Sequence, residues 1–261
     1  MYKLLFLLLP ILLFSKIEVT TTLPFESFIV KQIGQQHIRI KEITNLYSSK
    51  IKNLNKKEIS RLSNAKIYFN FGLNMEEKYG KILLKSNPNL IINDMSKGIN
   101  KIEYNGKQNP YIWLDPILLR KVAKNIYVSL LNIDTFNKKK YKENYNLFLN
   151  KLDEVYLKTR KVLEKSENYN IFVYDEYFDY YAKRFKINLY KKEKKIQKSK
   201  DIKKLNSFAK TNQINLILIP QNDNIIMANS IASNLAIKIR KHDIFIESIF
   251  VNIKTLTDQF L

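Results

Sequence analysis

The stretch that decides the fold of this chain is Asn109-Pro110-Tyr111-Ile112-Trp113-Leu114-Asp115-Pro116. It contains the only tryptophan among the 261 residues and two of the six prolines. Directly after it, apolar residues recur at helical spacing as far as Leu131. Asp115 can cap this helix, and Pro116 suits its first position because an amide hydrogen there would lack a partner. The stretch is therefore predicted to be an aromatic loop that leads into a helix.

Strand-like and helix-like pieces alternate on both sides of this stretch, which predicts an α/β fold. The β-branched strand 17–23 is followed by a helix that begins at Pro24 and ends at Gly34. Asn105-Gly106 predicts a tight hairpin turn. The remaining N-terminal strands are predicted at 37–43, 66–71 and 89–95, and the helices at 57–65 and 75–86.

One long helix, from about residue 137 to 164, separates two halves built of βα units. At about 1.5 Å per residue it is roughly 40 Å long, enough to connect two lobes. Its C-terminal side carries predicted strands at 171–174, 187–190, 214–220 and 237–240, and helices at 176–185, 203–211, 225–236 and from 249. We predict two Rossmann-like lobes with parallel sheets, residues 16–136 and 166–261, joined by the connecting helix 137–165.

Residues 1–15 are interpreted as a targeting segment. Lys3 precedes the apolar run from Leu4 to Phe14, which only Pro10 interrupts. The run fits a signal-peptide core of about 7–15 residues and is too short for a membrane-spanning helix of about 20. We expect export to the periplasm or cell envelope, with this segment cleaved or kept as an anchor that makes the only membrane contact.

The composition limits the classes of function. Lys+Arg 45 against Asp+Glu 24 gives a net charge of +21, which attracts polyanions. No nucleic-acid motif accompanies the charge, so we interpret it as compositional drift and solvated faces, and expect no nucleic-acid partner. The chain has no cysteine, which excludes disulfides, thiolate metal sites and a Cys-linked lipoprotein.

Sequence signatures of catalysis are absent. The chain has no nucleophile elbow, no phosphate-binding glycine loop and no histidine pair at helical spacing, and it contains only 5 glycines. We predict that it is not an enzyme.

Five landmarks follow one another in the chain. They are Val19–Pro24 with Ile33-Gly34, Ala65–Leu73, Pro110–Pro116, Tyr141 with Asn144, and Asp175–Phe185. In this order they resemble the zinc- and manganese-binding solute receptors of bacterial ABC importers, the metal-receptor and adhesin type. The resemblance implies two α/β lobes joined by one long rigid helix, with a divalent ion in the cleft as cargo. It also implies a monomeric receptor that delivers zinc or manganese to a membrane permease.

The family binds its ion through three histidines, or two and a carboxylate, with a further Asp or Glu. Carried over by resemblance, these positions fall on Lys50, Tyr111, Asp175, and either His242 or Asp243. The Lys50 ammonium cannot coordinate, and a phenol with a pKa near 10 is a reluctant zinc ligand. Asp175 is the strongest candidate, because α/β lobes place ligands at the carboxyl ends of strands.

Three interpretations of this site stay open. Tyr111, Asp175 and His242 would make an oxygen-rich set for a hard ion such as ferric iron. Alternatively, Lys50 replaces the metal by neutralising Asp175, or the ligands lie elsewhere in the chain. A receptor without cargo would act by surface contact, through a basic face that includes Lys183–Lys204. If these residues have no functional role, Tyr111 would pack against its neighbours, Asp175 would cap the next helix, and His242 would be a capping or a surface residue.

Overall fold

The computed structural model describes residues 16–44, 52–166, 170–191, 206–223, 225–232 and 237–261. The targeting segment 1–15, Lys50 and most of the basic stretch 191–204 lie outside the described residues, so the expectations for them stay predictions.

The first lobe is built on a sheet of four parallel strands. The strands are β1 (Ile17–Thr21), β2 (Ile38–Glu42), β3 (Ile67–Asn70) and β4 (Ile91–Asp94), in the order β2-β1-β3-β4. The central strand β3 is buried over its whole length, as its apolar sequence predicts. Because the strands are parallel, the loops that follow them meet at one edge of the sheet.

Four helices complete this lobe: α1 (Pro24–Gly34), α2 (Lys56–Ser63), α3 (Asn74–Ser86) and α4 (Leu118–Ile133). Pro24 lies in the first turn of α1, as predicted. A hairpin of β5 (Glu103–Tyr104) and β6 (Lys107–Gln108) turns at Asn105 and Gly106, whose φ angles of 50° and 75° define the predicted tight turn.

The connecting helix α5 (Lys138–Leu163) has 26 residues, so it is about 39 Å long at about 1.5 Å per residue. It packs against α1 and α4 of the first lobe and against the C-terminal helix α9 (Ile249–Asp258) of the second. Its bounds lie within two residues of the predicted connecting helix 137–165, because its apolar stripe persists over the full length.

The second sheet repeats the plan of the first. Its parallel strands are β7 (Asn170–Val173), β8 (Asn188–Lys191), β9 (Leu216–Pro220) and β10 (Lys238–His242), in the order β10-β9-β7-β8. The accompanying helices are α6 (Asp179–Phe185), α7 (helical residues 206–211), α8 (Ile226–Ala232) and α9. In chain order, both sheets therefore have strand order 2-1-3-4.

Three predicted boundaries are corrected by the structure. Helix α4 begins at Leu118 rather than Pro116, and α6 begins at Asp179 rather than Glu176. In both places an aspartate side chain accepts a backbone N–H two residues later, which forms a turn before the helix. Strand β10 extends to His242 rather than Arg240, so His242 lies within the strand.

A continuous hydrophobic core runs through both lobes, and Trp113 is the largest of its fully buried side chains. A smaller cluster that includes Phe172 and Ile217 covers the outer part of the second sheet. In the part of the chain that the structure describes, no helix combines the length and the hydrophobicity needed to cross a bilayer.

Candidate metal site in the cleft between the lobes

The segment 109–115 joins the two lobes through hydrogen bonds of Asn109. Its side-chain amide donates to the Glu176 carbonyl at 2.8 Å and to Asp179 Oδ2 at 3.0 Å. Its own carbonyl accepts from the Tyr180 hydroxyl at 2.8 Å. Asn109 is almost fully buried, so these bonds satisfy a polar side chain that would otherwise be costly to bury.

Trp113 anchors the same segment in an aromatic cluster drawn from both lobes. Its indole Nε1 donates to the Ile244 carbonyl of the second lobe at 2.8 Å. Its ring centroid lies 4.5 Å from that of Phe25, 5.5 Å from that of Phe71 and 5.8 Å from that of Phe245. The lone tryptophan thus fixes how the two lobes pack.

Asp115 completes the segment, and its side chain bonds to two backbone N–H groups and to one arginine. Its Oδ1 accepts the backbone N–H groups of Ile117 and Leu118, so it caps α4 as predicted although the helix begins later. Both carboxylate oxygens also accept from Arg184 Nε of the second lobe, at 2.9 and 3.0 Å. The Asp115 side chain is only 4% exposed, so this ion pair is largely removed from water.

A cleft of about 790 Å³ opens beside this segment. One wall is the loop after β3, which includes Gly72–Met75, and the other side includes Tyr111 and Glu176. Its rim carries both signs of charge, from Lys78, Lys101 and Lys107 and from Glu77, Asp94 and Glu176.

Tyr111, the predicted second ligand position, lies at this cleft within the aromatic cluster. Its ring meets that of Tyr177 edge-on at 4.5 Å and that of Trp113 edge-on at 5.4 Å between centroids. Its backbone N–H donates to Asn109 Oδ1 at 2.9 Å. Where the family carries a histidine, this chain presents an aromatic side chain packed against the second lobe.

Asp175, the predicted third position, follows the end of β7 and is half-buried. Its Oδ1 accepts the Tyr177 N–H at 2.9 Å. Burial raises the pKa of Asp175 to about 7, and the negative charges of Asp223 and Asp179 add to the rise. The Tyr177 N–H and the Lys191 ammonium oppose it, but Lys191 forms its ion pair with Asp179, at 2.7 Å. The Asp175 carboxyl is therefore a half-buried acid with its pKa raised to about 7.

His242 and Asp243, the two candidates for the fourth position, make contacts within their own lobe. His242 is 3% exposed, and its Nε2 donates to Asn252 Oδ1 at 2.7 Å. The histidine nitrogen is the donor, because the Asn252 amide nitrogen donates to the Ile244 carbonyl and so leaves the amide oxygen, an acceptor, facing His242. Burial lowers the pKa of His242. Asp243 is exposed, and its Oδ1 accepts the Phe245 N–H at 2.8 Å.

The described residues contain no group of three or more His, Cys, Asp or Glu side chains placed to hold a metal ion. Asp175, His242 and Asp243 are thus not brought together as a ligand set, and their assignment as ligands stays a prediction. Lys50 lies outside the described residues, and the sequence places no His, Cys, Asp or Glu at 45–51. The only other histidine, His37, lies against Tyr141 beside β2.

Two acidic residues near Asp175 were missed by the sequence analysis. Asp223 comes three residues after β9 and acts electrostatically on Asp175. Glu176 lines the cleft. The rule that picked out Asp175, a carboxylate just after a buried strand, applies equally to Asp223.

Comparisons with known proteins agree with this architecture. The family model for ZnuA, described as zinc-uptake complex component A, periplasmic, matches residues 19–252. The high-affinity zinc uptake system protein ZnuA of Bacillus subtilis (strain 168) is 24% identical over 134 residues, which are 50% of this chain and 42% of that protein. The match therefore spans less than half of that relative.

Solved structures share the fold. A crystal structure of ZnuA superimposes with a TM-score of 0.83 at 20% identity, covering 94% of this chain and 98% of that one. A periplasmic metal-binding protein from Candidatus Liberibacter asiaticus gives a TM-score of 0.81 at 16% identity, covering 94% and 100%. The laminin-binding adhesin Lmb from Streptococcus agalactiae gives 0.77 at 17%, with the same coverage. The predicted two-lobe α/β fold is confirmed.

The family model matches residues 19–252, and the five landmarks, the two sheets and the connecting helix follow one another along this range. The chain therefore belongs to the ZnuA family of periplasmic zinc-uptake components, which are transport receptors and not enzymes.

Proposed function

We propose that this chain is the extracytoplasmic receptor of an ABC importer, and that it carries a divalent metal ion anchored by Asp175. The observation that carries the proposal is the Asp175 carboxyl, half-buried just after the carboxyl end of β7. A carboxylate removed from water normally needs a cationic partner, but Lys191 is paired with Asp179 instead. A divalent cation at this place would supply the missing positive charge.

Zinc or manganese is the proposed cargo. The Bacillus subtilis relative is named for high-affinity zinc uptake, and one similar structure is described as manganese-bound. Tyr111 and either His242 or Asp243 would complete the site, with His242 first giving up its bond to Asn252. Such a set is richer in oxygen than the family's, which favours manganese over zinc.

Binding should depend on pH because the metal competes with a proton. An ion that coordinates Asp175 must displace the proton that this acid retains up to about pH 7. The apparent affinity is therefore expected to fall about tenfold per pH unit below that value.

The experiment is a thermal-unfolding titration of the purified chain with zinc, manganese or iron after chelation. A ligand that binds only the folded form raises the free energy of unfolding by about 4 kcal/mol at a thousandfold excess over Kd. Asp175→Asn should abolish the shift. Asp258→Asn, which removes the same charge from the exposed face of α9, should leave it intact. A shift that survives Asp175→Asn would overturn the assignment of Asp175.

Delivery would follow loading. The receptor, exported by its N-terminal segment and monomeric, would dock on a membrane permease. Because α5 packs against both lobes, loading would act through small lobe shifts rather than wide opening.

A second candidate is a receptor that keeps the fold but carries no ion, and that contacts an anionic surface or protein through its basic face. The observation in its favour is that the described residues contain no three-ligand group. If no ion shifts the unfolding temperature of the wild-type chain, this candidate replaces the first, and the net charge of +21 predicts binding that weakens steeply with salt.

A further inference from the structure

Two buried glutamates of the first lobe have no part in the proposed cargo site. Glu26 lies in the first turn of α1 and Glu76 in the first turn of α3, and their exposed fractions are 0% and 1%. They occupy matching places in the sequence, Leu23-Pro24-Phe25-Glu26 after β1 and Leu73-Asn74-Met75-Glu76 after β3. Because β1 and β3 are neighbours in the sheet, the two loops lie side by side.

Each glutamate first closes its own loop. Glu26 Oε2 accepts the backbone N–H groups of Thr22 at 2.7 Å and Leu23 at 3.2 Å. Glu76 Oε2 accepts those of Phe71 at 3.1 Å and Leu73 at 2.6 Å. One oxygen of each carboxyl is thus fully used at the N-terminus of a helix, where the partial positive charge favours an anion.

The other oxygen of each carboxyl has no backbone partner. The two carboxyl groups lie at the starts of α1 and α3, in loops that follow neighbouring strands, and the charge of Glu76 acts on Glu26. Oε1 of Glu26 and Oε1 of Glu76 are both shielded from solvent, and no donor in the described chain reaches either of them. Two ionised carboxylates offer only acceptors and repel, so this arrangement is unfavourable unless one group carries a proton. A single proton would satisfy both atoms.

We propose that Glu26 and Glu76 form a proton-binding site, in which one proton held between their Oε1 atoms ties the loop after β1 to the loop after β3. The pair then carries one negative charge, which four backbone N–H groups stabilise. Other carboxyl pairs share a proton in the same way, because two carboxyl groups at close range cannot both be ionised.

The surroundings favour the proton over a cation. The Tyr68 hydroxyl of β3 lies 2.6 Å from the Thr22 hydroxyl, which in turn lies beside the Glu76 carboxyl. Burial raises the pKa of Tyr68, so this phenol stays neutral. The Lys101 ammonium donates to the Phe71 carbonyl of the loop after β3, at 3.4 Å. No Lys, Arg or His of the described residues forms an ion pair with Glu26 or Glu76.

The site also supports one wall of the cleft. The loop that Glu76 closes supplies Gly72, Leu73, Asn74 and Met75 to the cleft lining. Loss of the proton would place two negative charges in contact beneath this wall and push the two loops apart. Burial raises the pKa of both carboxyls, and for Glu26 the neighbouring Glu76 adds to the rise, so the proton stays bound above the usual range of a glutamate.

The test uses Glu26→Gln, Glu76→Gln and the double variant, all in an Asp175→Asn background that removes the acid whose pKa is raised to about 7. In a single variant the glutamine oxygen keeps the backbone N–H groups, and its amide N–H replaces the shared proton. Each single variant should therefore fold as well as its parent near pH 6. In the double variant the backbone N–H groups use both glutamine oxygens, so two amide NH₂ groups face each other. The double variant should therefore lose at least about tenfold more in its folding equilibrium constant than the two single variants lose together.

Urea unfolding from about pH 5 to about pH 9 provides the second readout. The parent should lose about tenfold in its folding equilibrium constant per pH unit until the proton leaves, and each single variant should lack this slope. Glu77→Gln, an exposed neighbour on α3, should keep it. Simple additivity in the double variant, or a slope that persists in both single variants, overturns the proposal.

Infrared spectroscopy tests the proton directly, whatever the variants do to folding. In the Asp175→Asn chain at neutral pH, a protonated-carboxyl stretch is expected that vanishes on alkaline titration. Absence of that band overturns the proposal without bearing on metal binding, which is measured by the separate titration of the wild-type chain.

Discussion

The segment 109–115 and the residues at the carboxyl ends of β7 and β10 differ in where their polar groups bond. Asn109, Trp113 and Asp115 each bond across the lobe boundary, to carbonyls or charged groups of the second lobe. At the ends of β7 and β10, Asp175 and His242 bond only within their own lobe. The segment 109–115 therefore fixes how the two lobes pack, whereas Asp175 and His242 have no common partner among the described residues.

The family resemblance implies the fold and the cargo chemistry together, and this difference separates them. The residues that dock the lobes match the family landmarks, so the fold is recognised from them. The ligand positions carry other chemistry, a phenol at Tyr111 and a histidine turned to Asn252. Fold and cargo chemistry thus depend on different residues of the same segment and have to be tested separately.

The largest expected effect comes from breaking the lobe contact at Trp113. Trp113→Ala should cost about 4 kcal/mol of unfolding free energy, because it leaves a cavity among Phe25, Phe71 and Phe245. It also removes one of the two donors to the buried Ile244 carbonyl, which keeps the Asn252 amide. Trp113→Phe keeps most of the packing and should cost less than half as much. Urea unfolding measures both, and equal costs would contradict the cavity argument.

A smaller effect is expected at Asp115, with a matched control on the surface. Asp115→Asn breaks a carboxylate–Arg184 pair whose acid is 4% exposed, and should cost about 2–3 kcal/mol. Arg120 forms a similar two-oxygen pair with Asp153, but these side chains are 37% and 49% exposed. Asp153→Asn should therefore cost less than about 1 kcal/mol. Equal losses in chemical denaturation would show that burial does not set the value of these pairs.

Much of the fold could be predicted because its signals are local. The apolar stripe of α5 and the turn residues Asn105 and Gly106 specify their structures within a few positions of chain. The late starts of α4 and α6 were missed because a capping aspartate can close a turn first, and sequence spacing does not distinguish the two cases.

The site was less predictable because its properties depend on contacts between distant residues. The sequence indicates Asp175 from its place after a strand, but its titration near neutral pH arises from burial and from Asp223 and Asp179. The Glu26–Glu76 pair had a visible signal, the repeated Leu-x-x-Glu after two strands. Its meaning required knowing that β1 and β3 are adjacent in the sheet.

The smallest effects concern pH, and Asp175 and His242 should give opposite signs. The pKa of Asp175 is raised from 3.8 to about 7, so its contribution to stability is full below about pH 4 and is lost as the pH rises through 7. Asp175→Asn keeps the bond to Tyr177 and should be more stable than wild type by about 1–2 kcal/mol above pH 7, with no gain at pH 4. The pKa of His242 is lowered by burial, so its contribution is present above about pH 6.5 and is lost as the pH falls. His242→Gln should flatten the stability curve on the acid side only. If His242 instead faced the cleft with a free lone pair, His242→Gln would leave the acid side of the stability curve unchanged and would weaken metal binding. The same variant therefore decides whether His242 has a structural role within its lobe or binds the cargo ion.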